Sequence, residues 1–186
     1  MNQLAWINGW QKNDYVEMKQ HHFTVIDNYI NRPVERILDI GCGLAFESRQ
    51  FYKKYNTELY LIDGDYDNNK DSQIRYSSWS SLTNLKYYSK FEDLNNFFTN
   101  DGVKNYTLVN CEDIQLPKSV KFDLICSYLS CGFHYPLETY KELILNHSTE
   151  QTLLIFTLRK KQAHNCKIVK VLHEADKYIT AHISFS

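Results

Sequence analysis

The sequence predicts an α/β fold with a doubly wound, mostly parallel sheet. Short apolar runs of strand length alternate with segments of helical period, a Gly-x-Gly turn follows the first run, and single acids stand at the ends of the first two. An N-terminal helix and a C-terminal antiparallel hairpin complete the expected architecture.

Tyr15, Met18, His22, Val25, Ile26 and Tyr29 recur at helical spacing and place an amphipathic helix over 14–30. Asn31-Arg32-Pro33 ends it, because a residue before proline is steered away from helical angles. Arg36-Ile37-Leu38-Asp39-Ile40 reads as the first strand, Gly41-Cys42-Gly43 as a turn, and Phe46 to Tyr55 as a helix. Glu58 to Ile62 is the second strand and closes on Asp63-Gly64-Asp65, and the polar stretch Asp67–Ser81 reads as a surface loop. A helix around Phe91–Phe98, a strand at Tyr106–Asn110, a turn through Pro117 and a strand at Phe122–Ser127 follow. Pro136 opens a helix to about Asn146, and Thr152–Leu158 is a continuous apolar strand. Lys167–Leu172 and Tyr178–Phe185 suit two antiparallel strands joined by Glu174-Ala175-Asp176, with a helix as the alternative for the first.

At 186 residues the chain is expected to form one domain, divided into an N-terminal helical cap (1–32), a core (33–160) and C-terminal strands (161–186). Lys plus Arg (21) and Asp plus Glu (22) nearly cancel, so no overall field draws the protein to nucleic acid or an anionic membrane. No stretch approaches the roughly 18 apolar residues of a membrane span, and the N-terminus has no signal-peptide pattern. The expectation is a cytoplasmic protein with no nucleic-acid or membrane partner. Five cysteines, an odd number without a Cys-x-x-Cys pair, are expected to be free thiols, and no metal site is expected.

In a doubly wound sheet ligands settle beyond the carboxyl ends of the strands. Gly41 and Gly43 stand there, and Asp63 closes the next strand, where a carboxylate can accept hydrogen bonds from both hydroxyls of a ribose. Asp39, two residues before Gly41, argues against a pyrophosphate and for a cofactor carrying a free ammonium and a sulfonium. The third glycine of the dinucleotide fingerprint is also missing, Phe46 standing in its place.

Through Ile37-Leu38-Asp39-Ile40-Gly41-Cys42-Gly43, Leu61-Ile62-Asp63 and Phe122-Asp123-Leu124-Ile125-Cys126-Ser127, the chain resembles the class I S-adenosylmethionine-dependent methyltransferases over about residues 30–160. Ala45 stands where that superfamily often has a further glycine. The resemblance implies the Rossmann-like fold of that superfamily and S-adenosyl-L-methionine as cofactor. It implies that Asp39, Gly41, Cys42 and Gly43 hold the methionine half and that Asp63, with Gly64, holds the ribose. Glu112 or Asp113 would contact the adenine amino group, and Ser127 would border the site.

The acceptor side is expected in Ser127–Pro136. His134 is the candidate base for a hydroxyl acceptor, its ordinary pKa of about 6.5 lying near working pH; helix capping or an internal hydrogen bond is the competing role. Tyr128 and Tyr135 suit pocket walls or core equally. The segment has neither the Asp/Asn-Pro-Pro-aromatic motif of exocyclic amino methylation nor the Pro-Cys nucleophile of cytosine C5 methylation. Arg159 could hold an anionic substrate or pair on the surface. Trp6, Trp10, Tyr15, His21 and His22 could form a lid or pack on their own domain. Lysines 160, 161, 167, 170 and 177 read as a solvated face.

The expected function is therefore methyl transfer to a small molecule, with a hydroxylated metabolite or sugar preferred. The alternatives are an S-adenosylmethionine-binding protein that is non-catalytic or consumes the cofactor, and an NAD-dependent oxidoreductase.

Overall fold

The computed structural model describes residues 13–65 and 90–185. In chain order the elements are α1 (Asn13–Ile30), β1 (Arg36–Ile40), α2 (Phe46–Tyr55), β2 (Glu58–Asp63), α3 (Phe91–Asn100), β3 (Tyr106–Asn110) and β4 (Leu124–Ser127). A 3-10 turn (Leu137–Tyr140), α4 (Lys141–His147), β5 (Leu153–Arg159), a second 3-10 turn (Lys160–Asn165), β6 (Lys167–Glu174) and β7 (Tyr178–Ser184) complete them.

The seven strands form one sheet in the order β3-β2-β1-β4-β5-β7-β6. Strands β1 to β5 pair in parallel, and β7 enters antiparallel between β5 and β6. Strand order reverses between β1 and β4, which opens a crevice beyond their carboxyl ends, where Gly41 and Ser127 lead out of the sheet. The apolar runs of β1, β2, β4 and β5 have the two-sided burial that a parallel sheet covered on both faces demands. On one face Phe23, Ile26, Phe51, Leu94 and Phe98 of α1, α2 and α3 pack together. On the other, Leu137 and Ile144 of the 3-10 turn and α4 pack with Ile40, Phe156 and Leu158.

Departures from the expected boundaries have local causes. The fourth strand begins at Leu124 rather than Phe122, because the Phe122 amide bonds to the His147 carbonyl and Asp123 turns its carboxylate onto the amides of Glu35 and Arg36, at 2.9 Å each. The helix after Pro136 starts as a 3-10 turn and becomes α-helical only at Lys141. The segment after Lys167 is a strand, not a helix, because its backbone pairs with β7, and irregularities between Ile168 and Lys170 and between Val171 and His173 bend it. Asp67–Ser81, Trp6 and Trp10 lie outside the described residues.

Candidate functional site

The Gly41–Gly43 turn is held from below by β2. The amides of Gly41 and Cys42 both donate to the Ile62 carbonyl (2.7 and 3.0 Å), and the Gly43 amide donates to Asp63 Oδ2 at 2.6 Å. Asp63 Oδ1 accepts the Gly64 amide at 2.7 Å, so this carboxylate shapes two turns at once. Its Oδ1 keeps a second lone pair, whereas Oδ2 is shared with the Cys42 thiol, and the residue is only half-buried. Loss of water nevertheless raises its pKa above the ordinary carboxylate value. Cys42 Sγ lies 3.9 Å from Asp63 Oδ2, and burial raises its thiol pKa as well.

Gly41 (φ +70°) and Gly43 (φ +52°) both need left-handed backbone, but their surroundings differ. A Cβ on Gly43 would meet nothing within 4 Å, whereas one on Gly41 would fall 1.9 Å from Ser130 Oγ. Open space therefore adjoins Gly43 and not Gly41. There the hollow is filled by Ser130, whose hydroxyl lies 3.0 Å from that of Tyr135.

Asp39 is buried under this turn. Its Oδ2 accepts from Ser48 Oγ at 2.6 Å, and its Oδ1 has no partner among the described residues. Burial raises its pKa to about 7, with the nearby Glu47 charge adding to the rise. Next to it lies an ion pair between α1 and α2. Lys19 Nζ is 2.9 and 3.1 Å from the two oxygens of Glu47, with the Tyr15 and Tyr128 rings each 5.6 Å away. His22, 1% exposed, stands 3.7 Å from the same carboxylate. Tyr15 and His22 thus pack against their own domain through the ion pair, and Tyr128 packs beside it.

Ser127, expected to border the site, clamps the strand ends. It is fully buried, donates to the Ile40 carbonyl at 2.6 Å and accepts the Cys131 amide at 2.8 Å, tying the ends of β1 and β4 together. Glu112 and Asp113 are exposed just beyond β3, across from Asp63, whose carbonyl accepts the Cys111 amide at 2.8 Å. Asp113 Oδ1 is engaged by Gln115 at 2.6 Å.

His134 is half-buried, edge-on to Phe133, and its Nδ1 has no partner among the described residues. Burial, then the Arg159 charge, lowers its pKa to about 4. It is therefore a neutral but feeble base at neutral pH. Arg159 lies over the Phe133 ring at 4.8 Å. Sequence reasoning singled out neither Ser130 nor the Lys19–Glu47 pair. Such pairing across 28 positions has no local signature. The only signal was an acid at the start of α2 facing a lysine on an otherwise amphipathic α1.

Among the described residues no cluster of three His, Cys, Asp or Glu could hold a metal, and no helix is long and apolar enough to cross a membrane.

No family model and no curated sequence matches the chain. Solved structures do. The ribosomal protein L11 methylase from Lactobacillus delbrueckii subsp. bulgaricus superposes with a TM-score of 0.56 at 16% identity, covering 88% of this chain and 76% of that one. MtNAS in complex with MTA and tNA superposes with a TM-score of 0.64 at 11% identity, over 97% of this chain and 64% of its own. Coclaurine N-methyltransferase bound to N-methylheliamine and SAH gives 0.52 at 11%, over 75% and 35%. The chain thus spans less than two thirds of the length of the latter two. These likenesses show the fold: the chain has the Rossmann-like class I methyltransferase fold.

Proposed function

We propose that this chain is an S-adenosylmethionine-dependent methyltransferase acting on a small molecule. The observation that carries this reading is Asp39 Oδ1, a buried carboxylate oxygen without a partner among the described residues, beneath a glycine turn whose own amides are already used. A pyrophosphate needs free amides at a helix N-terminus and no nearby acid. Here the turn amides serve Ile62 and Asp63, Glu47 stands in the first turn of α2, and Asp39 is bonded to Ser48 of that turn. An ammonium group suits that place, so the residues fit S-adenosylmethionine better than a nicotinamide dinucleotide.

On this reading Asp39 receives the methionine ammonium, and the open face of Gly43, with Cys42 beside it, borders the methionine half. Asp63 uses its remaining acceptor capacity on the ribose hydroxyls, next to Gly64, while Glu112 or Asp113 takes the adenine amino group. S-adenosylmethionine, when bound, supplies an electrophilic methyl carbon on a sulfonium. The chain's contribution is mostly positioning, since a well-oriented in-line attack removes much of the barrier. A hydroxyl acceptor rested on His134 as base, and a group with a pKa of about 4 removes a hydroxyl proton poorly; the small-molecule acceptor is retained without that preference. A cytoplasmic location belongs to the same reading and is supported by five free cysteines, which suit a reducing compartment.

Calorimetric titration with S-adenosylmethionine and S-adenosylhomocysteine, for wild type and Asp63→Ala, tests the reading. The expected result is saturable binding that the substitution weakens at least tenfold while the protein stays folded. A folded wild-type protein that binds neither nucleoside would overturn it. Binding without methyl transfer to any acceptor would instead favour the non-catalytic alternative, and acceptor-independent breakdown of the cofactor the consuming one.

A further inference from the structure

A cleft of about 310 Å³ opens between α1 and the start of α2, its lining including Tyr15, Leu44, Phe46, Arg49, Lys53 and Asp101. It lies beside the glycine turn, since Gly43-Leu44-Ala45-Phe46 runs from the open face of Gly43 into the cleft wall. Its size falls at the lower end of small-molecule pockets.

Among the described residues the charges of this cleft do not balance. Arg49 Nη1 and Lys53 Nζ both bond to Asp101, Lys53 at 2.9 Å, so two cations share one carboxylate. Arg49 is 8% exposed and is fixed in place, its Nε donating to the Leu44 carbonyl at 2.8 Å and its guanidinium lying 4.6 Å from the Phe97 ring centroid and 5.7 Å from that of Phe46. Burial lowers the Arg49 pKa from its ordinary value, as expected of a cation lacking full compensation. The neighbouring Lys19–Glu47 pair is neutral overall; Glu47 eases the Arg49 charge a little but spends both carboxylate oxygens on Lys19. The Tyr15 and Phe46 side chains provide flat apolar surface beside the uncompensated charge. Tyr15 stays protonated at working pH, burial holding its pKa near 12, so it brings no negative charge.

We propose that this cleft binds a small anion with a flat apolar body, such as an aromatic carboxylate, its charged end at Arg49 and Lys53 and its ring between Tyr15 and Phe46. With Arg49 Nε given to Leu44 and Nη1 to Asp101, Nη2 and the Lys53 ammonium are the donors left for a ligand, and charge-assisted bonds from both give the site its preference for an oxyanion. If the methyl-transfer reading stands, on which this identification rests, the ligand is the acceptor, held alongside the methionine end of the cofactor site.

The test uses the full chain, 15N-labelled, titrated with benzoate and with its neutral isostere benzamide, in parallel with S-adenosylhomocysteine. Benzoate is expected to bind saturably, to shift the amides of Tyr15, Leu44 and Gln50, and to bind about tenfold more tightly than benzamide, the worth of one charge-assisted contact. Lys53→Gln, a change at a side chain 44% exposed, is expected to weaken benzoate about fivefold and to leave S-adenosylhomocysteine affinity as it was. Equal binding of benzoate and benzamide, shifts confined to other surfaces, or an unchanged benzoate affinity in Lys53→Gln would overturn the proposal. Benzoate binding as described, with no S-adenosylhomocysteine binding, would support the anion site and overturn the methyltransferase reading alone. The reverse result would overturn the cleft alone.

Discussion

Lys19 on α1 holds both carboxylate oxygens of Glu47 on α2, and the two side chains are 5% and 1% exposed. Each keeps the other charged: Glu47 raises the Lys19 pKa against the effect of burial, and Lys19 and His22 hold Glu47 below the ordinary carboxylate range despite it. Removing one partner leaves a buried charge without compensation. Lys19→Met is therefore expected to cost about 3–5 kcal/mol, and Lys19→Met with Glu47→Leu to recover most of it. Urea unfolding of the two variants checks this, and a double variant no more stable than the single one would show that the pair acts through something other than charge.

The two glycines of the turn separate packing from ligand contact. Gly41→Ala adds a methyl group 1.9 Å from Ser130 Oγ and 2.5 Å from its Cβ at a positive φ, so a loss of about 2–4 kcal/mol is expected, partly recovered by Ser130→Gly. Gly43→Ala meets no atom within 4 Å and pays only for the left-handed backbone, about 1 kcal/mol. Yet its methyl group points into the space assigned to the cofactor, so S-adenosylhomocysteine affinity should fall at least tenfold. Thermal unfolding and calorimetry together check both variants, and full nucleoside affinity in Gly43→Ala would place the cofactor elsewhere.

Asp39 makes stability depend on pH. Its pKa is about 7 when folded and 3.8 as an ordinary carboxyl, so between those values the folded state binds the extra proton. Stability from this group is thus greatest below about pH 4 and falls as the pH rises to about 7, by an amount on the order of 4 kcal/mol. Asp39→Asn can still accept from Ser48 and carries no charge. It is expected to raise the melting temperature at pH 8 and flatten this slope while weakening S-adenosylmethionine binding. Melting curves from pH 5 to 8 decide the point, a wild-type slope equal to that of the variant being the adverse outcome.

The fold and the glycine turn were legible because they follow from local rules. Ile37–Ile40 must be a buried strand because nearly every position is apolar, and Gly41 and Gly43 must be a turn because their left-handed angles exclude most other residues. Asp39 and Asp63 could be placed by their distance from those glycines. Tertiary contact alone decided that Ser127 spends its hydroxyl on Ile40 and Cys131, that Ser130 fills the hollow over Gly41, and that Arg159 and burial together make His134 a poor base. A side chain's partners and its desolvation depend on residues remote in the chain, whereas periodicity and backbone angles are properties of neighbours. For that reason the sequence by itself determined the order of elements and the position of the glycine turn, and only the packing of α1 and α3 onto α2 decided which charges stand together beside it.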